Sequence, residues 1–598
     1  MDRKAIHVYS LTPVNSKVGQ NHSVECLSTS TDLVLLGTRE GKVLCHVLET
    51  TPTGVEEAIL RYTLSTNIKG AARFIQPIVS KQLLLVTVGE CLVVYSAAWL
   101  TPASARDFDT HEVTRVGGLR DVVSVQTRRY KNALAVLVLC ARKLVVYLYK
   151  EEGTPQLVLH KTVSLNDKAT SMALVTQRIV LVQVGHHTCV VIDSHTGTVL
   201  GECATAGGHV SLCDLRPAPE GLLVQDRIAS RVLMDGSCVP CEALSPFDKP
   251  PSLLFYEHPF LVSLPPASSA TQLEVRIPLL GDRESGVSVV QVVSHSAVLR
   301  RCSHPDSFID FDEVTEMGHK RERNLIAVLD SASSLFLLRP HPLSLVVSEL
   351  SEVNSHAAIT LASLCVHQVD QRTLRAVYVK HICSEYTEKR FDGLDKVLRE
   401  SGIDPLFFIR MFLSDSVTVR KEVLASEWSS LEDAIPKSST CALTPASTPF
   451  FIQYLTYVKT TAYGEDASAE VKTLMDTALL HAHLLASGDQ KESTEEDLLR
   501  FLLHDVSREF LSTTAIDIVS AQLPKKWFTL ASVYYHLERY EDALQLLYCM
   551  ATEKAPTARE NGKLFISAAL QQACDALSTA EPSTVMNAAD TLIHSPKS

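Results

Sequence analysis

The feature that most constrains the fold is a change in the apolar pattern around two prolines, Pro340 and Pro342. Before them, short apolar runs alternate with turn residues, which is typical of β-strands. After them, apolar residues recur every three or four positions, which is the period of an α-helix. Neither proline can donate a backbone hydrogen bond, so we expect the strand ladder to end here.

The last two apolar runs before the prolines, residues 325–329 and 335–338, flank a polar turn and predict a final β-hairpin. The chain is therefore predicted to have two structural parts. The first is a β domain over residues 1–341, and the second is an α-helical domain over residues 342–598.

The β half repeats one unit, an apolar run followed by a small turn and a second apolar run, as in residues 82–95. Such a hairpin exposes apolar surface on both faces unless neighbours stack beside it. About 27 strand-like runs, at four per blade, predict a seven-bladed β-propeller. The WD dipeptide is absent, and a pair of β-sandwiches is the alternative architecture. Further copies of the unit span residues 32–48, 133–147 and 179–192.

Helix boundary signals recur in the second half. Gly402 can end one helix, Asp404 can cap the next, and Pro405 suits its first turn. Thr448, which precedes a proline, repeats this start, and residues 493–496 form a capping-box pattern.

One tetratricopeptide-like pattern predicts a helix pair near the end of this half. Ala531 and Ala543 would let the two helices approach closely, while Trp527, Leu530 and Tyr534 would fill the seam between them. Because the match covers one repeat, we predict an α-solenoid of degenerate helix pairs. The full pattern comprises Trp527, Leu530, Ala531, Tyr534, Tyr540, Ala543, Leu547 and Pro556.

The composition and the N-terminal sequence indicate the cellular compartment. The chain is 46% hydrophobic and 21% charged, as in ordinary globular proteins. Its N-terminus lacks a signal-peptide apolar run, so the 15 cysteines are expected to be free thiols in the cytoplasm. The most apolar run, residues 133–141, is too short to span a bilayer. Membrane association is therefore expected to be peripheral and to depend on partners.

The charge is unevenly distributed. Residues 1–341 include 34 acidic and 33 basic residues, whereas residues 342–598 include 34 acidic and 23 basic residues. An acidic helical half is repelled by phosphate backbones and by anionic lipid surfaces. Nucleic-acid binding is therefore not expected.

Two short motifs superficially resemble chemical sites. The stretch from Gly37 to Lys42 has three residues rather than four between its glycines, and Val43 stands where a P-loop has Ser or Thr. We predict a turn between two strands there. Cys238 and Cys241 form a CxxC, but no second pair lies at zinc-site spacing, so thiols are predicted rather than a metal site.

Three further clusters have structural explanations. The carboxylates within residues 306–313 predict a solvated loop, because no partner base is marked by spacing. Lys525 and Lys526 precede a tryptophan at an inward-packing repeat position, which predicts core packing rather than a basic binding patch. A helical apolar cluster, predicted to be core rather than a partner groove, comprises Phe407, Phe408, Met411 and Phe412. We predict no catalytic, metal-binding or cofactor-binding residue, and no pattern marks partner-binding residues.

Several segments in order resemble the citron-homology (CNH) domain. A strand ends in Leu-Gly-Thr-x-x-Gly at residues 36–41, and similar segments follow at 221–226, 258–262 and 273–277. The resemblance ends at residues 335–340 and covers about residues 5 to 341. It implies a seven-bladed propeller that binds small GTPases and other proteins.

The helical half resembles the CNH-containing vacuolar-sorting tether subunits of the CORVET and HOPS complexes, the TGF-β-receptor-associated and vacuolar-morphogenesis protein family. The resemblance is carried by residues 391–405, which include Ile403-Asp404-Pro405, and by residues 475–480 and 530–547. Family members usually continue into further helical repeats used to join the complex core, whereas this sequence stops at Ser598.

This resemblance implies a non-enzymatic tethering or adaptor subunit in endosomal–vacuolar (lysosomal) vesicle traffic, without a cofactor. The propeller would bind a Rab-type small GTPase, and the solenoid would bind other tether subunits, with SNAREs engaged indirectly. The chain would be cytoplasmic and peripheral on endosomal or vacuolar membranes. The alternatives are a vesicle-coat or nuclear-pore-type scaffold and a CNH signalling adaptor.

Overall fold

The computed structural model describes residues 6–552, apart from residues 19–21, 31, 53, 102–106, 131–132, 152, 206–209, 216–219, 242–243, 245, 248–249, 252, 265–271, 278–288, 295–298, 303–325, 331–333, 367, 414–430, 436–440, 462–467, 488–491 and 523–524. The chain divides into two compact units, Met1–Thr373 and Leu374–Ser598.

In the first unit, seven four-stranded antiparallel sheets form the blades of a β-propeller. The strands are, in blade 1, β2 (Val24–Ser30), β3 (Leu33–Thr38), β4 (Lys42–Thr50) and β5 (Glu56–Ser65); in blade 2, β6 (Ala72–Ile78), β7 (Leu83–Val88), β8 (Cys91–Ser96) and β9 (His111–Val116); in blade 3, β10 (Val122–Tyr130), β11 (Ala133–Cys140), β12 (Lys143–Lys150) and β13 (Gln156–Ser164); in blade 4, β14 (Ala169–Leu174), β15 (Ile179–Val184), β16 (Thr188–Asp193) and β17 (Thr198–Ala204); in blade 5, β18 (Val210–Asp214), β19 (Gly221–Gln225), β20 (Ile228–Val232) and β21 (Cys238–Pro240); in blade 6, β22 (Leu253–Glu257), β23 (Phe260–Leu264), β24 (Gln272–Arg276) and β25 (Val289–Ser294); and in blade 7, β26 (Leu299–Cys302), β27 (Ile326–Asp330), β28 (Ser334–Pro340) and β1 (Tyr9–Lys17).

The ring is closed by a strand from the start of the chain. β1 pairs antiparallel with β28, with Tyr9 opposite Pro340 and Leu11 opposite Leu338. The predicted final hairpin is confirmed, since β27 pairs with β28. The first strands of successive blades lie against one another, β2 against β6 and β14 against β18, so they are innermost. The seven-bladed propeller is therefore confirmed, and the alternative of two β-sandwiches is wrong.

The apolar core lies between neighbouring blades. One cluster joins Leu35 of blade 1 to Val86 and Trp99 of blade 2, and similar clusters join further pairs of blades. Because each blade is covered on both faces, every residue of β3, β7 and β15 is buried. Strands buried on both faces have continuous apolar runs instead of alternation, which explains the sequence pattern.

Individual residues on the third strand occupy equivalent positions in blades 1 to 4. In blades 1 to 4 the register with the outer strand shifts at an equivalent place, and the residues just after the shift are His46, Tyr95, Tyr147 and Ile192. All four are buried. Burial lowers the pKa of His46 to about 4 and raises the pKa of Tyr95 to about 12. Both side chains are therefore neutral at neutral pH.

Helices follow the last strand. They are α1 (Leu343–Ser351), α2 (Ser355–Leu364), α3 (Gln371–Thr387), α4 (Leu394–Glu400), α5 (Pro405–Leu413), α6 (Thr448–Thr461), α7 (Ala469–Ala486), α8 (Glu492–Arg500), α9 (Arg508–Phe510), α10 (Ile516–Ser520), α11 (Trp527–His536) and α12 (Tyr540–Thr552), with π-helical turns at Phe501–Asp505 and Leu511–Ala515. In the part of the chain described, no helix combines the length and apolar character needed to cross a membrane.

The first helix pair, α1 with α2, belongs to the same compact unit as the propeller. The backbone N–H of His7 donates to Glu349 Oε2 at 2.7 Å, and His258 Nε2 lies 3.2 Å from the carbonyl oxygen of Leu364. These contacts place both helices against the propeller. That residues 1–341 form a domain on their own stays a prediction.

The predicted helix boundaries are largely confirmed. Gly402 adopts φ +61° just after α4, and Asp404 Oδ1 accepts the backbone N–H of Leu406 at 2.9 Å at the start of α5. α6 begins at Thr448. α8 begins at Glu492, one residue before the predicted capping box.

The predicted tetratricopeptide-like pair corresponds to α11 and α12, which pack together. Leu530, Ala531 and Ala543 are buried between helices, as predicted. Trp527 and Tyr534 remain half-buried, so neither ring fills the seam completely. The guanidinium of Arg539 lies 4.7 Å from the centre of the Tyr534 ring and covers part of it. The side chain of Leu547 and Pro556 lie outside the described residues.

An ion pair between a half-buried lysine and a buried aspartate links α6 and α7. Lys459 Nζ donates to Asp476 Oδ1 at 2.6 Å and to the carbonyl oxygen of Asp505 at the end of a π-helical turn. Burial raises the pKa of Asp476, and the Lys459 ammonium opposes that shift. The pair therefore holds three successive helical segments together.

Replacing Lys459 with methionine should lower the free energy of unfolding by about 1–3 kcal/mol, because the buried Asp476 carboxylate would lose its cationic donor. Urea denaturation of the full chain measures this change. Lys396→Met is the matched control, since that lysine is 77% exposed. Equal losses in the two variants would contradict the role of the ion pair.

Replacing His46 with phenylalanine should make the free energy of unfolding fall less steeply as the pH is lowered. The unfolded chain takes up a proton near pH 6.5, whereas the native state resists it until about pH 4. Stability therefore falls as pH drops through that window. The variant should lose about 2 kcal/mol less than the wild type between about pH 7 and pH 5.

Urea denaturation at the two pH values provides the measurement. His536→Phe, at an exposed position, is the matched control. An unchanged slope in His46→Phe would show that His46 is protonated without cost in the folded chain.

Candidate interaction surface

The glycine-rich stretch considered as a phosphate loop is a hairpin turn. It joins β3 to β4, and Gly41 adopts φ +79° there. The backbone N–H of Lys42 donates to Thr38 Oγ1 at 3.1 Å, and Thr66 Oγ1 donates to the carbonyl oxygen of Gly41 at 2.7 Å. These bonds hold the turn against its own blade, which confirms the prediction of a turn between strands.

Cys238 and Cys241, the CxxC residues, have different environments. Cys238 forms a disulfide with Cys203, whereas Cys241 is a buried thiol outside that disulfide. The expectation of free thiols is therefore wrong for Cys203 and Cys238, which join the outer strands of blades 4 and 5. Among the residues described, no group of three or more His, Cys, Asp or Glu side chains is placed to hold a metal ion.

The basic pair before Trp527 does not form a surface patch. Lys526 is buried, and its Nζ donates to Glu495 Oε2 at 3.2 Å and to the carbonyl oxygen of Ser487 at 3.2 Å. Lys525 remains exposed. Lys526 is therefore held in a buried ion pair, while Trp527, the residue predicted to pack inward, is half-buried. The acidic stretch at residues 306–313 lies outside the described residues.

The helical cluster of Phe407, Phe408, Met411 and Phe412 is core. All four side chains are buried, and the Phe412 ring lies 5.2 Å from that of Phe451 and 5.3 Å from that of Tyr386. Aromatic pairs at these separations stabilise a core beyond their buried area. The cluster is therefore not open as a partner groove.

Apolar side chains are instead exposed on the outer strands of the propeller. In the described part of the propeller, nine large apolar side chains are exposed, and six of them lie on blades 3, 4 and 5. One of the six, Ile228, begins β20, and we call the other five the apolar rim. They are Leu159 on β13 (58% exposed), Val199 and Leu200 on β17 (49% and 45%), Met234 between β20 and β21 (48%) and Val239 on β21 (38%).

Blades 3 and 4 touch along the rim. The ring of His160, next to Leu159, stacks on that of His195, with 5.2 Å between ring centres. The side chain of Lys161 lies against Gly197, where a Cβ atom would be 2.5 Å from Lys161 Cε. Lys161 lies opposite Val146, which packs towards blade 4, whereas Leu159 lies opposite Tyr147, which packs towards blade 2, so these two side chains lie on opposite faces of blade 3.

Blades 4 and 5 are joined more closely. A Cβ atom on Gly201 would lie 2.0 Å from the carbonyl oxygen of Asp235, and one on Gly236 would lie 2.7 Å from the backbone nitrogen of Glu202. The turn before β21 thus packs directly on the backbone of β17. Together with the disulfide, this contact fixes β17 and the turn before β21 to each other.

Asp235 is exposed where blades 4 and 5 meet. Glu202 is also exposed, but it lies opposite Val190 in the strand register and so faces blade 3. Asp235 Oδ1 accepts hydrogen bonds from the Ser237 hydroxyl at 2.6 Å and from its backbone N–H at 2.9 Å. These bonds hold the pKa of the Asp235 carboxyl below its usual value, so it carries a negative charge at neutral pH.

Sequence reasoning missed this surface. β17 (Thr-Val-Leu-Gly-Glu-Cys-Ala) and β21 (Cys-Val-Pro) together contain one charged residue. Outer strands usually carry charges that discourage pairing with other chains, and β5 has Glu56, Glu57 and Arg61. The scarcity of charge on β17 and β21 was visible in the sequence. It could be interpreted only once these strands were known to be outermost.

Matches to known proteins come from solved structures, of which 1023 chains are similar to this one. No protein-family model and no curated protein matches the chain. Among solved structures, the AfRom2 CNH domain aligns over 55% of this chain and 98% of its own length, with 13% identity and a TM-score of 0.36. The computationally designed Ika8 protein aligns over 55% of this chain and 99% of its own length, with 12% identity and a TM-score of 0.33. The propeller assignment therefore rests on the strand pairing of this chain.

Replacing Gly201 with alanine should destabilise the propeller by about 1–3 kcal/mol, because the added methyl group overlaps the Asp235 backbone and forces β17 away from blade 5. Thermal and urea melts measure the loss. Gly117→Ala is the matched control, since a Cβ atom there meets only Cys91 Sγ at 3.9 Å. If both variants unfold like the wild type, the close contact between blades 4 and 5 does not exist.

Proposed function

We propose that this chain is a non-enzymatic adaptor that acts as a tethering subunit in endosomal–vacuolar (lysosomal) vesicle traffic. In this proposal the propeller binds a Rab-type small GTPase. The helical unit binds other subunits of a CORVET- or HOPS-class complex and engages SNAREs through them. The observation that supports an adaptor most is the exposure of Leu200 and Met234 beside the contact between blades 4 and 5, because exposed apolar side chains are common at protein interaction sites.

The resemblance to the tether family supports the choice of partners. Two acidic residues of the resembling segments have defined roles in this chain. Asp404 caps α5, and Asp476 forms the ion pair with Lys459. These roles concern helix packing, so the segments support a helical scaffold of the family's type. The Rab-type partner itself is proposed from the resemblance alone.

The proposed mechanism depends on holding two binding sites near each other and involves no chemical step. A GTPase anchored in a vesicle membrane would hold the propeller at that membrane. The helical unit would then meet its partner subunits at a raised effective concentration, since the second binding event occurs within one assembly. Association with endosomal or vacuolar membranes would be peripheral and would depend on the GTPase.

Capture by immobilised GTPases tests this proposal. Purified Rab and Rho GTPases, each loaded with GTPγS or with GDP, are incubated with the full chain, and the bound protein is quantified. We expect at least one Rab-type GTPase to retain about tenfold more protein in the GTPγS state, equivalent to about 1.4 kcal/mol.

Equal recovery in both nucleotide states would contradict the tether proposal and favour a coat or pore scaffold. Nucleotide-dependent capture by Rho-type GTPases alone would favour a signalling adaptor instead. GTPase mutants that cannot bind nucleotide serve as the control for non-specific retention.

A further inference from the structure

We propose that Cys238 is a redox-active site, at which small thiols of the glutathione class open the Cys203–Cys238 disulfide and so loosen blade 5. The inference does not rest on the proposed tether function, because it concerns a bond inside the propeller. It gives a chemical role to the first cysteine of the CxxC motif.

The bond joins the outermost strands of neighbouring blades. Cys203 lies on β17 of blade 4, and Cys238 lies on β21 of blade 5. The two cysteines are 35 residues apart in the sequence, and the loop that the bond closes contains β18, β19 and β20. Three of the four strands of blade 5 are therefore enclosed by one covalent crosslink. Such a crosslink stabilises the enclosed segment mainly by limiting the freedom of its unfolded chain.

Blade 5 is built from short strands. β18, β19 and β20 have five residues each, and β21 has three, whereas every strand of blade 3 has eight or nine. All three side chains of β21 are exposed, and Pro240 has no backbone N–H to donate to a neighbouring strand. β21 therefore gains little from burial or from backbone hydrogen bonds. The disulfide contributes a large share of what holds this strand in place.

The contacts on either side of β21 would keep the ring closed after the bond opens. The turn before β21 packs on β17, since a Cβ atom on Gly236 would lie 2.7 Å from the backbone nitrogen of Glu202. After β21, the backbone N–H of Cys241 donates to the carbonyl oxygen of Ala229 at 3.0 Å. These two anchors limit the change to blade 5 and keep the separated cysteines close enough to bond again.

The exposure of the two cysteines decides which sulfur reacts. Cys238 is exposed, whereas Cys203 is buried, so the thiolate of a small thiol attacks Cys238 Sγ. The Sγ–Sγ bond breaks, a mixed disulfide forms at Cys238, and the electron pair of the broken bond leaves with Cys203 Sγ, which then takes up a proton. A second small thiol attacks the mixed disulfide and releases the Cys238 thiol together with an oxidised dimer of the small thiol. Two small thiols thus supply the two electrons, and the oxidised dimer re-forms the bond by the reverse steps.

The packing favours the original pair when the bond re-forms. Cys203 belongs to the apolar cluster between blades 4 and 5, and Cys238 lies opposite Val232 of the same cluster. Cys241 is the cysteine nearest to Cys238 in the sequence, but it is buried in the cluster between blades 5 and 6. Cys203 and Cys238 therefore meet on one face of blade 5, while Cys241 lies on the other.

A redox titration of the full chain tests the inference. The folded chain is incubated with glutathione mixtures that range from fully oxidised to fully reduced, its thiols are alkylated, and mass spectrometry quantifies Cys203 and Cys238. We expect both cysteines to become alkylated together as reduced glutathione comes to dominate. Hydrogen–deuterium exchange of the amides in β18, β19 and β20 should then be at least about tenfold faster, with exchange in blades 1 to 3 unchanged.

Two single variants identify the cysteine that is attacked. In Cys203→Ser, the exposed Cys238 should form a mixed disulfide with oxidised glutathione. In Cys238→Ser, the buried Cys203 should be modified at least about tenfold more slowly. Cys91→Ser, which removes a thiol outside this pair, is the matched control and should titrate like the wild type. Circular dichroism checks that every variant is folded.

A bond that stays intact in reduced glutathione would overturn the inference. So would hydrogen exchange that does not change in blade 5, or that rises equally in blades 1 to 3, when the bond opens. Equal modification of Cys203 and Cys238 in the single variants would contradict the assignment of the attacked sulfur. The titration of the wild-type chain decides the matter even if a cysteine variant does not fold. GTPase capture uses the oxidised chain, so a failure of either proposal leaves the other standing.

Discussion

The pairing of β1 with β28 is the interaction on which the rest of the structure depends. It brings Tyr9 opposite Pro340 and so joins the two ends of the propeller sequence. Without it, blade 7 would lack its outer strand, and the apolar faces between blades 7 and 1 would lose cover on one side. Closing a loop of this length costs chain entropy that rises only slowly with length. The buried clusters between blades offset that cost together, which makes the ring a cooperative structure.

Closure also explains where the surface can be apolar. Inner and middle strands are covered on both faces by neighbouring blades, so their apolar residues are buried in the core. Outer strands have one free edge and faces that solvent reaches. Most proteins protect such edges with charge, and β5 follows that rule with Glu56, Glu57 and Arg61. β17 and β21 do not follow it. Their aliphatic residues remain exposed on a backbone that the Cys203–Cys238 bond and Gly201 hold in place.

The helical unit shows how short motifs can be structural. The Ile-Asp-Pro segment ends one helix region and starts the next, since Asp404 accepts the N–H of Leu406 and Pro405 begins α5. Asp476, in a second motif, is buried and needs the Lys459 ammonium as its partner. Both motifs can be explained by helix packing. Partner binding in this unit must therefore be sought on its exposed faces, away from these residues.

Local patterns were enough to predict the element types, the approximate blade number and the change from strands to helices. The physical reason is that these features depend on a few neighbouring residues. The spacing of apolar side chains and the backbone conformations open to glycine and proline are both local, as at Gly402 and Pro405. Hairpin turns such as Gly37 to Lys42 could be separated from phosphate loops on the same grounds. Tertiary structure alone decided which strand closes the ring, which cysteines are bonded and which apolar residues stay outside. Tyr9 and Pro340, or Cys203 and Cys238, are brought together by the ring and by no local pattern. Leu200 looks like a core residue in the sequence, and only the outermost position of β17 leaves it exposed to solvent.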